Sequence, residues 1–159
     1  MAKTAKRKIG SNDVASNRYA SYRYELIERL ECGIVLHGSE VKALRATGAQ
    51  LKDGYASLTE GELWLHSVHI PPYGPASREN HEPERPRKLL LHRRELDRLA
   101  MRVKERGLTL VPTRIYFKGP HAKVEIALAR GKALYDKRES IREREQRRDM
   151  ERAVRDAER

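Results

Sequence analysis

The feature that most limits how this chain can fold is a long alternation of apolar and charged residues over positions 22–36. In "YRYELIERLECGIVL" the even positions, such as Leu30 and Cys32, are mainly apolar, whereas the odd positions include Arg29 and Glu31. Alternation at period two is typical of a β-strand with one buried face and one wet face. The sequence therefore predicts a long strand with Glu31 on its wet face and Cys32 on its apolar face.

Patterns along the rest of the chain predict more strands and two short helices. In order, they predict a helix within 38–48, a hairpin over 55–70 turning at Glu60–Gly61, a long loop from Pro71 to Arg87, a strand over Lys88–Leu91, a helix from His92 to Gly107, and two strands around Lys118–His121. Together they predict a chain that is mainly β with inserted helices.

Single residues refine these predictions. Gly38 or Ser39 suits the N-cap of the first helix, and Gly48 suits the residue after its end. His92 with Glu95 resembles a weak capping box for the second helix.

Two details concern the last pair of strands. Pro112 predicts an edge position or a bulge, because proline cannot donate to a strand ladder. Val124 and its apolar neighbours Ile126 and Leu128 are predicted to face the core, and Lys123 and Glu125 the solvent.

About six strands with long first and last members favour an OB-fold-like closed β-barrel with two to three flanking helices. A twisted sheet packed by one helix is the competing architecture. The predicted organisation is a basic flexible arm over 1–16, a barrel over 17–135, and a charged tail over 136–159 that is disordered or helical.

Charge points to a polyanionic partner. The chain of 159 residues has a formal net charge of +11, with 34 Lys and Arg against 23 Asp and Glu. Four cations lie in residues 1–8, and the segment 9–135 is also basic. Because phosphate contacts release counterions, this balance favours nucleic acid as the partner.

The tail looks helical but has little to bury. It contains no Gly or Pro, nine cations, eight anions and five apolar residues. Pairs such as Glu143–Arg147 and Glu151–Arg155 each add only ~0.2–0.5 kcal/mol to an isolated helix. We expect a frayed helix in the free protein that folds fully on binding, and no coiled coil, since sustained apolar heptads are absent.

Other functional classes have little support in the sequence. Cys32 is alone, and its place on the apolar strand face favours a buried thiol. The six histidines lack metal-ligand spacing, and "LARGK" lacks the spacing of a phosphate loop. We therefore expect no enzyme, metal or cofactor, no membrane span, and a cytoplasmic location.

Several motifs in order resemble those of the small protein B family, which binds transfer-messenger RNA. The carrying stretches are "GSEVKALR", "NHEPERPRKLLLH" and "ALARGKALYDKR", and the resemblance covers nearly the whole chain. It implies an OB-fold barrel that binds the tRNA-like domain of the RNA near its elbow. It further implies delivery with elongation factor Tu to stalled ribosomes, for peptide tagging and ribosome rescue, by a protein we expect to be monomeric.

The family pattern also implies functional residues. Glu31, Leu90 and Lys123 match its RNA-binding positions, and Asn17 with Arg18 matches the start of its ordered body. From the residues alone, Glu31 could instead only pair with a neighbouring cation, and Leu90 is expected in the core. Charge and position add the remaining RNA-binding candidates: Lys42, Arg45, Arg87, Lys88, His92, Arg130 and Lys132.

In the family, the tail becomes a helix in the empty mRNA channel of the small ribosomal subunit, near the decoding centre. The residues of this chain that would carry that role are Asp136, Lys137, Arg138, Ile141, Arg142, Arg144, Arg147 and Arg148. Asp136–Lys137–Arg138 matches a motif needed after RNA binding. A general RNA-binding or ribosome-assembly protein with a dispensable tail is the alternative function, and a barrel enzyme acting on RNA would need clustered acid, base or metal ligands.

Overall fold

The computed structural model describes residues 13–132 and 134–157, without the side chains of Ser77, Glu105, Arg106 and residues 134–137. The elements of this part are β1 Asp13–Ser16, α1 Ala20–Arg23, β2 Tyr24–Ile34, α2 Gly38–Ala46, β3 Tyr55–Thr59, β4 Glu62–His66, a 3-10 helix Gly74–Glu79, β5 Arg87–Leu90, α3 Arg93–Arg106, β6 Thr109–Lys118, β7 His121–Gly131 and α4 Leu134–Ala157.

The strands form one antiparallel sheet in the order β1-β6-β3-β4-β5-β2-β7, and β7 also pairs with β6. Each strand from β2 to β7 therefore has a hydrogen-bonded neighbour on both sides. The fold is mainly β with several helices, as the sequence predicted. The seventh strand is β1, which pairs with β6 and lies within the predicted arm 1–16; residues 1–12 lie outside the described part.

A bulge in β2 divides its apolar residues between two faces. The register against β7 shifts between Leu26 and Glu28. Leu30 and Cys32 lie in the main core, whereas Tyr24 and Leu26 pack on a smaller cluster outside it. The prediction of one apolar face along the whole strand was wrong, because the extra residue of a bulge reverses the alternation.

The smaller cluster also corrects the expected wet face of β7. It contains Ala20 of α1, Val111 of β6, and Ala127 and Ala129 of β7, all buried. Helix α1 is a separate short element, so Tyr22 belongs to it and not to the strand predicted over 22–36. The main core lies on the opposite face of β7 from this smaller cluster. Val124, Ile126 and Leu128 belong to it and are fully buried, as predicted.

Turns and helix ends follow the sequence closely. Glu60 and Gly61 have φ angles of 52° and 73°, the left-handed values of a tight two-residue hairpin turn. Gly107 ends α3 in the left-handed region, with φ 59°. The register shift between Pro112 and Arg114 is the bulge predicted at Pro112.

Gly48 follows the end of α2 and lies against the backbone of β1. Its φ is +82°, and its N–H lies 3.1 Å from the Leu44 carbonyl oxygen. A Cβ at this position would lie 2.4 Å from the Val14 carbonyl oxygen. The predicted glycine after the helix therefore has a second role, because it lets the β1 backbone approach closely.

Three local predictions differ from the structure. The N-cap of α2 is His37, not Gly38 or Ser39, and its N–H donates to Glu40 Oε2 at 2.9 Å. His92 is the N-cap of α3, but no side-chain hydrogen bond caps this helix among the described residues. Strand β5 covers Arg87–Leu90, one residue earlier than predicted, because Arg87 already pairs with Leu65.

Among the described residues, no helix has both the length and the apolar character needed to cross a membrane.

Candidate RNA interface

Glu31 lies on the outer face of β2 beside two residues of β6. Tyr116 Oη donates a hydrogen bond to Glu31 Oε2, and Lys118 Nζ lies 3.5 Å from Glu31 Oε1. The side chain of Glu31 is still 41% exposed. Glu31 therefore does pair with a neighbouring cation, Lys118, which was the alternative to an RNA role. Its carboxylate nevertheless remains accessible to a ligand.

The environment keeps Glu31 ionised. The hydrogen bond from Tyr116, supported by the nearby Lys118, holds the pKa of the Glu31 carboxyl below its ordinary value. Burial and the same hydrogen bond raise the pKa of the Tyr116 hydroxyl. The pair therefore presents a fixed acceptor on an otherwise basic protein.

Gly33 brings Leu90 and Lys123 next to Glu31. It lies two residues after Glu31 and pairs with Leu90 of β5 on one side and Lys123 of β7 on the other. Residues opposite each other in a ladder share a face, so all of these residues project outwards. A Cβ on Gly33 would lie 3.2 Å from Leu90 Cβ, so the glycine leaves room for the leucine.

Leu90 is not a core residue, because it is 51% exposed. The expectation from the residue type alone was wrong, and the outward direction follows from its pairing with Gly33. The three residues matched to the RNA-binding pattern thus form one surface of an acceptor, an apolar side chain and a cation. We call Glu31, Leu90 and Lys123 the elbow surface.

Lys42 and Arg45 lie exposed on α2 and contact aromatic rings. Arg45 Cζ is 4.2 Å from the centre of the Phe117 ring, and Lys42 Nζ is 5.8 Å from the centre of the Tyr73 ring. Cation–π contacts of this kind orient the cations without removing their charge. Arg45 therefore lies near the end of β6 that carries Lys118.

Arg87 was predicted to contact RNA, and the structure contradicts this. Its side chain is fully buried, and it donates to Glu40 Oε1 at 3.0 Å and to the Val68 carbonyl oxygen at 2.8 Å. Glu40 is also fully buried and accepts two hydrogen bonds from Arg85, at 2.6 and 2.7 Å. Arg87 is therefore a structural cation that neutralises a buried carboxylate.

This network was missed at the sequence level because Glu40 had an adequate role in the first turn of α2. Burial alone would raise the pKa of Glu40, but hydrogen bonds from Arg85 and the His37 N–H outweigh it and hold the pKa below its ordinary value. The available signal was the pair Arg85 and Arg87, because residues two apart in an extended segment point to the same side and can meet one carboxylate.

Asn17 ties the chain before α1 to the sheet. Its Nδ2 donates to the carbonyl oxygens of Leu51, at 3.2 Å, and Pro112, at 3.0 Å. Its Oδ1 is buried and has no partner within the described residues. The structure gives Asn17 a structural role, while the neighbouring Arg18 is exposed.

The other body candidates are spread over several elements. Lys88 Nζ lies 2.8 Å from Glu62 Oε1 and is 39% exposed. His92 and Arg130 are exposed, and Arg130 lies away from the elbow surface, since it pairs with Glu25 at the far end of β2. The predicted set is thus divided into one compact surface and several separate positions.

Lys132 joins β7, α1 and the tail helix. Its Nζ lies 3.0 Å from both the Ser21 carbonyl oxygen and Ser140 Oγ. Arg144 of α4 lies 5.8 Å from the centre of the Tyr22 ring of α1. These contacts fix the first turns of α4 against the body, and we call them the tail junction.

Helix α4 runs without interruption over Leu134–Ala157, so it starts two residues before the predicted tail. Ile141 is 37% exposed, and the tail candidates Arg138, Arg142, Arg144, Arg147 and Arg148 are exposed. The side chains of Asp136 and Lys137 lie outside the described set. A helix with so little buried surface fits the composition of the tail, and its fraying in the free protein stays a prediction.

A second buried carboxylate was also missed. Glu125 was predicted on a wet face, but it is only 4% exposed. It accepts hydrogen bonds from Thr113 at 2.9 Å, Arg114 at 3.1 Å and Arg29 at 3.2 Å. Thr113 and Arg114 belong to β6 and Arg29 to β2, the two strands that flank β7, so donors from both sides meet a carboxylate where the alternation predicted solvent.

Catalytic and metal chemistry find no support in the part of the chain that the structure describes. No group of three or more potential metal ligands occurs among those residues. Cys32 is buried, and burial raises the pKa of its thiol to about 12, so it is inert at neutral pH.

Comparison with known proteins gives consistent matches. The model of the SmpB protein family matches residues 14–156. The SsrA-binding protein of Carboxydothermus hydrogenoformans is 50% identical over 142 residues, which are 89% of this chain and 95% of that protein. The SsrA-binding protein of Thermobifida fusca is 54% identical over 146 residues, covering 92% and 91%.

A solved structure is also similar. A chain from the work described as "tmRNA-SmpB: a journey to the center of the bacterial ribosome" is 46% identical, with a TM-score of 0.65. The match covers 80% of this chain and 94% of that chain.

Proposed function

The chain belongs to the SmpB family, and from this premise we propose that it binds the tRNA-like domain of transfer-messenger RNA and delivers it to stalled ribosomes. It is a transfer-messenger RNA-binding protein of trans-translation and not an enzyme. The likeness to a solved chain of a tmRNA–SmpB complex carries this conclusion.

The elbow surface is the proposed contact with the RNA. An ionised carboxylate can accept from a base amino group or a ribose 2′-hydroxyl, a leucine can pack on a base or sugar, and a lysine can meet a phosphate. Lys42, Arg45 and Lys88 border it as phosphate contacts, with Arg18, His92, Arg130 and Lys132 as outer candidates and Asn17 as a support.

The strand pairings support an OB-fold-like closed barrel. Strands β6, β3, β4, β5, β2 and β7 follow one another by hydrogen bonding, and β7 pairs back to β6. Closure would leave no free edge among these six strands, which protects a small sheet from pairing with other chains.

The tail is proposed to act in the ribosome. Helix α4 would occupy the empty mRNA channel of the small subunit near the decoding centre, with Asp136, Lys137 and Arg138 at its base and Ile141, Arg142, Arg144, Arg147 and Arg148 along it. A channel lined by phosphates would stabilise the arginine-rich helix that the body alone supports only at its first turns.

The remaining parts of the proposal concern assembly and place. We expect a monomer that acts in the cytoplasm and joins transfer-messenger RNA together with elongation factor Tu.

The test compares the full chain with a truncation ending at Tyr135, which removes nearly all of α4. Binding to transfer-messenger RNA is measured at fixed salt against an ordinary tRNA and a random RNA of equal length, and peptide tagging is measured on ribosomes stalled at a message end. We expect both proteins to bind selectively and only the full chain to tag. Equal binding to all three RNAs, or tagging without the tail, would leave a general RNA-binding protein.

A further inference from the structure

A cleft at the other end of the sheet has the chemistry of a base-binding site. It has a volume of about 260 Å³ and lies between α1, the segment before β3, and the first residues of β6. Ala20 and Val111, both buried, contribute to its lining, together with Tyr19, Lys52 and Tyr55. This volume is near the lower limit of small-ligand clefts, roughly 300 Å³, so it suits a flat group more than a large ligand.

Tyr55 is held in place while its ring stays accessible. It pairs with His66 across the hairpin, and the two rings stack with centres 5.1 Å apart and an interplanar angle of 23°. His66 Nε2 is hydrogen-bonded to Ser57 Oγ at 2.7 Å, which orients the histidine ring. Tyr55 is nevertheless 45% exposed. A rigid, exposed aromatic ring of this kind is a ready platform for stacking.

Tyr19 is the second aromatic side chain of the cleft, and cations surround it. It is 49% exposed, with Lys52 Nζ 5.0 Å and Arg23 Cζ 6.0 Å from the centre of its ring. Arg23 also lies 4.0 Å from Asp53, whose carboxylate is 75% exposed. The cleft therefore combines two aromatic faces with two cations and one exposed acceptor.

The position of the cleft separates it from the elbow surface. Tyr24 lines the cleft and pairs with Gly131, whereas Glu31 lies seven residues further along β2. At ~3.3 Å per residue these positions are roughly 23 Å apart. Gly131 is the last residue of β7, and the Lys132 N–H donates to the Arg23 carbonyl oxygen at 3.0 Å. The cleft thus lies beside the tail junction.

We propose that this cleft binds one unstacked nucleobase of single-stranded RNA. The base stacks on Tyr55 with Tyr19 at its border, Lys52 and Arg23 lie next to the adjoining phosphate, and Asp53 accepts from a base amino group. Unstacked bases are commonly held on aromatic rings beside cations, whereas a duplex could not enter so small a cleft. The site adds a second RNA contact, and its location does not depend on the elbow surface.

The first experiment uses the full-length protein and a short single-stranded oligoribonucleotide that contains one 2-aminopurine. Stacking in the cleft quenches its fluorescence, and titration gives the affinity. Tyr55→Ala should weaken binding about tenfold, within the range for one base–aromatic stack, and Tyr19→Ala should weaken it less. Tyr55→Phe keeps the ring and should bind as the unchanged protein does. Lys52→Gln should lower the salt slope by about 0.7.

Matched controls come from α3, which contributes no residue to the cleft lining. Met101 is 63% exposed and Lys104 is exposed, so Met101→Ala and Lys104→Gln remove comparable side chains elsewhere. Thermal unfolding verifies that each variant is folded. Quenching and affinity that are unchanged in a folded Tyr55→Ala protein would overturn the proposal.

Two further titrations identify the source of the base. The same variants are tested with complete transfer-messenger RNA and with small ribosomal subunits, together with Glu31→Gln as a reporter of the elbow surface. If Tyr55→Ala weakens binding only to transfer-messenger RNA, the bound base belongs to that RNA. If it weakens binding only to the small subunit, the base belongs to ribosomal RNA. Either supports the cleft, whatever Glu31→Gln does, whereas no loss in both titrations contradicts a role in the assembled system.

Discussion

Glu40 is the residue on which the structure around α2 most depends. Its buried carboxylate joins the start of that helix, through the His37 N–H, to Arg85 in the preceding loop and to Arg87, the first residue of β5. Arg87 in turn reaches the carbonyl oxygens of Val68 and Pro83. One carboxylate therefore connects three parts of the chain, and removing its charge leaves a fully buried guanidinium without compensation.

We expect Glu40→Gln to lower the free energy of unfolding by about 3–5 kcal/mol, the usual cost of breaking a buried ion pair from one side. Urea unfolding followed by circular dichroism measures this change. Glu79→Gln is the control, because Glu79 is exposed, and it should change stability by less than about 0.5 kcal/mol. A similar loss in both variants would show that the buried network is not the cause.

The same carboxylates give stability a defined dependence on pH. The pKa values of Glu40 and Glu125 are both lowered from the ordinary value of 4.5 in the folded protein. A group with a depressed folded pKa contributes stability above its unfolded pKa and loses it as pH falls towards the folded value. The free energy of unfolding should thus be constant with respect to these groups near neutrality and decrease below about pH 4.5. Unfolding titrations from pH 7 to pH 3 test this, and Glu40→Gln should show a smaller decrease.

At the scale of the elements, the sequence predicts turns and helix ends well, but it does not predict how a bulge changes the face of a strand. Hairpin turns at Glu60–Gly61 and Gly119, and the end of α3 at Gly107, follow from residue types and were predicted. The bulge at Leu26–Glu28 was not, although the alternation was interrupted there, because one irregular residue does not reveal which side of it changes face. Burial of Glu125 likewise depends on donors from β6 and β2, long-range contacts that local patterns do not contain.

The close approach of Gly48 to the β1 backbone can be tested by adding a single methyl group. Gly48→Ala places a Cβ 2.4 Å from the Val14 carbonyl oxygen at a φ of +82°. Strain and overpacking together should lower stability by about 1–3 kcal/mol. Thermal unfolding measures the effect. Gly74→Ala is the matched change, since a Cβ there meets nothing within 4 Å, and a comparable loss in that variant would contradict this explanation.

The tail junction is also testable as an element. Lys132→Gln removes an ammonium that lies 3.0 Å from both the Ser21 carbonyl oxygen and Ser140 Oγ. The Ser140 contact is the one that involves α4, and its loss, at ~0.5–1.5 kcal/mol for one hydrogen bond, should make exchange of amide hydrogens in the first turns of α4 about 2- to 10-fold faster. Hydrogen exchange by mass spectrometry measures this. Arg130→Gln, on an exposed neighbour, should leave the same amides unchanged, and equal protection in both variants would argue against the junction.

At the scale of the whole molecule, the cations that give the chain its positive net charge have different roles. Some of the cations are structural, as Arg87 and Arg114 are, and neutralise Glu40 and Glu125. The sequence could indicate a nucleic-acid partner from net charge, but not which cations face it, because long-range contacts decide which cations are buried against carboxylates. The family resemblance supplied Glu31, Leu90 and Lys123, and strand register explains why they lie together.

Salt dependence separates the two kinds of contact at the elbow surface. Lys123→Gln should weaken binding of transfer-messenger RNA and lower the slope of log affinity against log salt by about 1, because one phosphate contact is lost. Glu31→Gln should weaken binding with an unchanged slope, because its proposed partners are uncharged. Filter binding from 50 to 300 mM salt measures both. Lys104→Gln is the charge control, and a slope change equal to that of Lys123→Gln would assign the effect to net charge alone.

Strand β7 sets a fixed distance between the two ends of this protein. Lys123 lies near its start and Gly131 at its end, beside the tail junction, and hydrogen bonds to β2 and β6 prevent it from stretching. Removing two residues from β7 would preserve which side chains face outwards, yet it would bring the elbow surface and the tail about 7 Å closer together. Insertions in the β3–β4 turn would leave that span unchanged. Loop length and strand length therefore differ in their effect: a longer turn leaves the two ends of the body where they are, whereas a change in the length of β7 alters the distance between them.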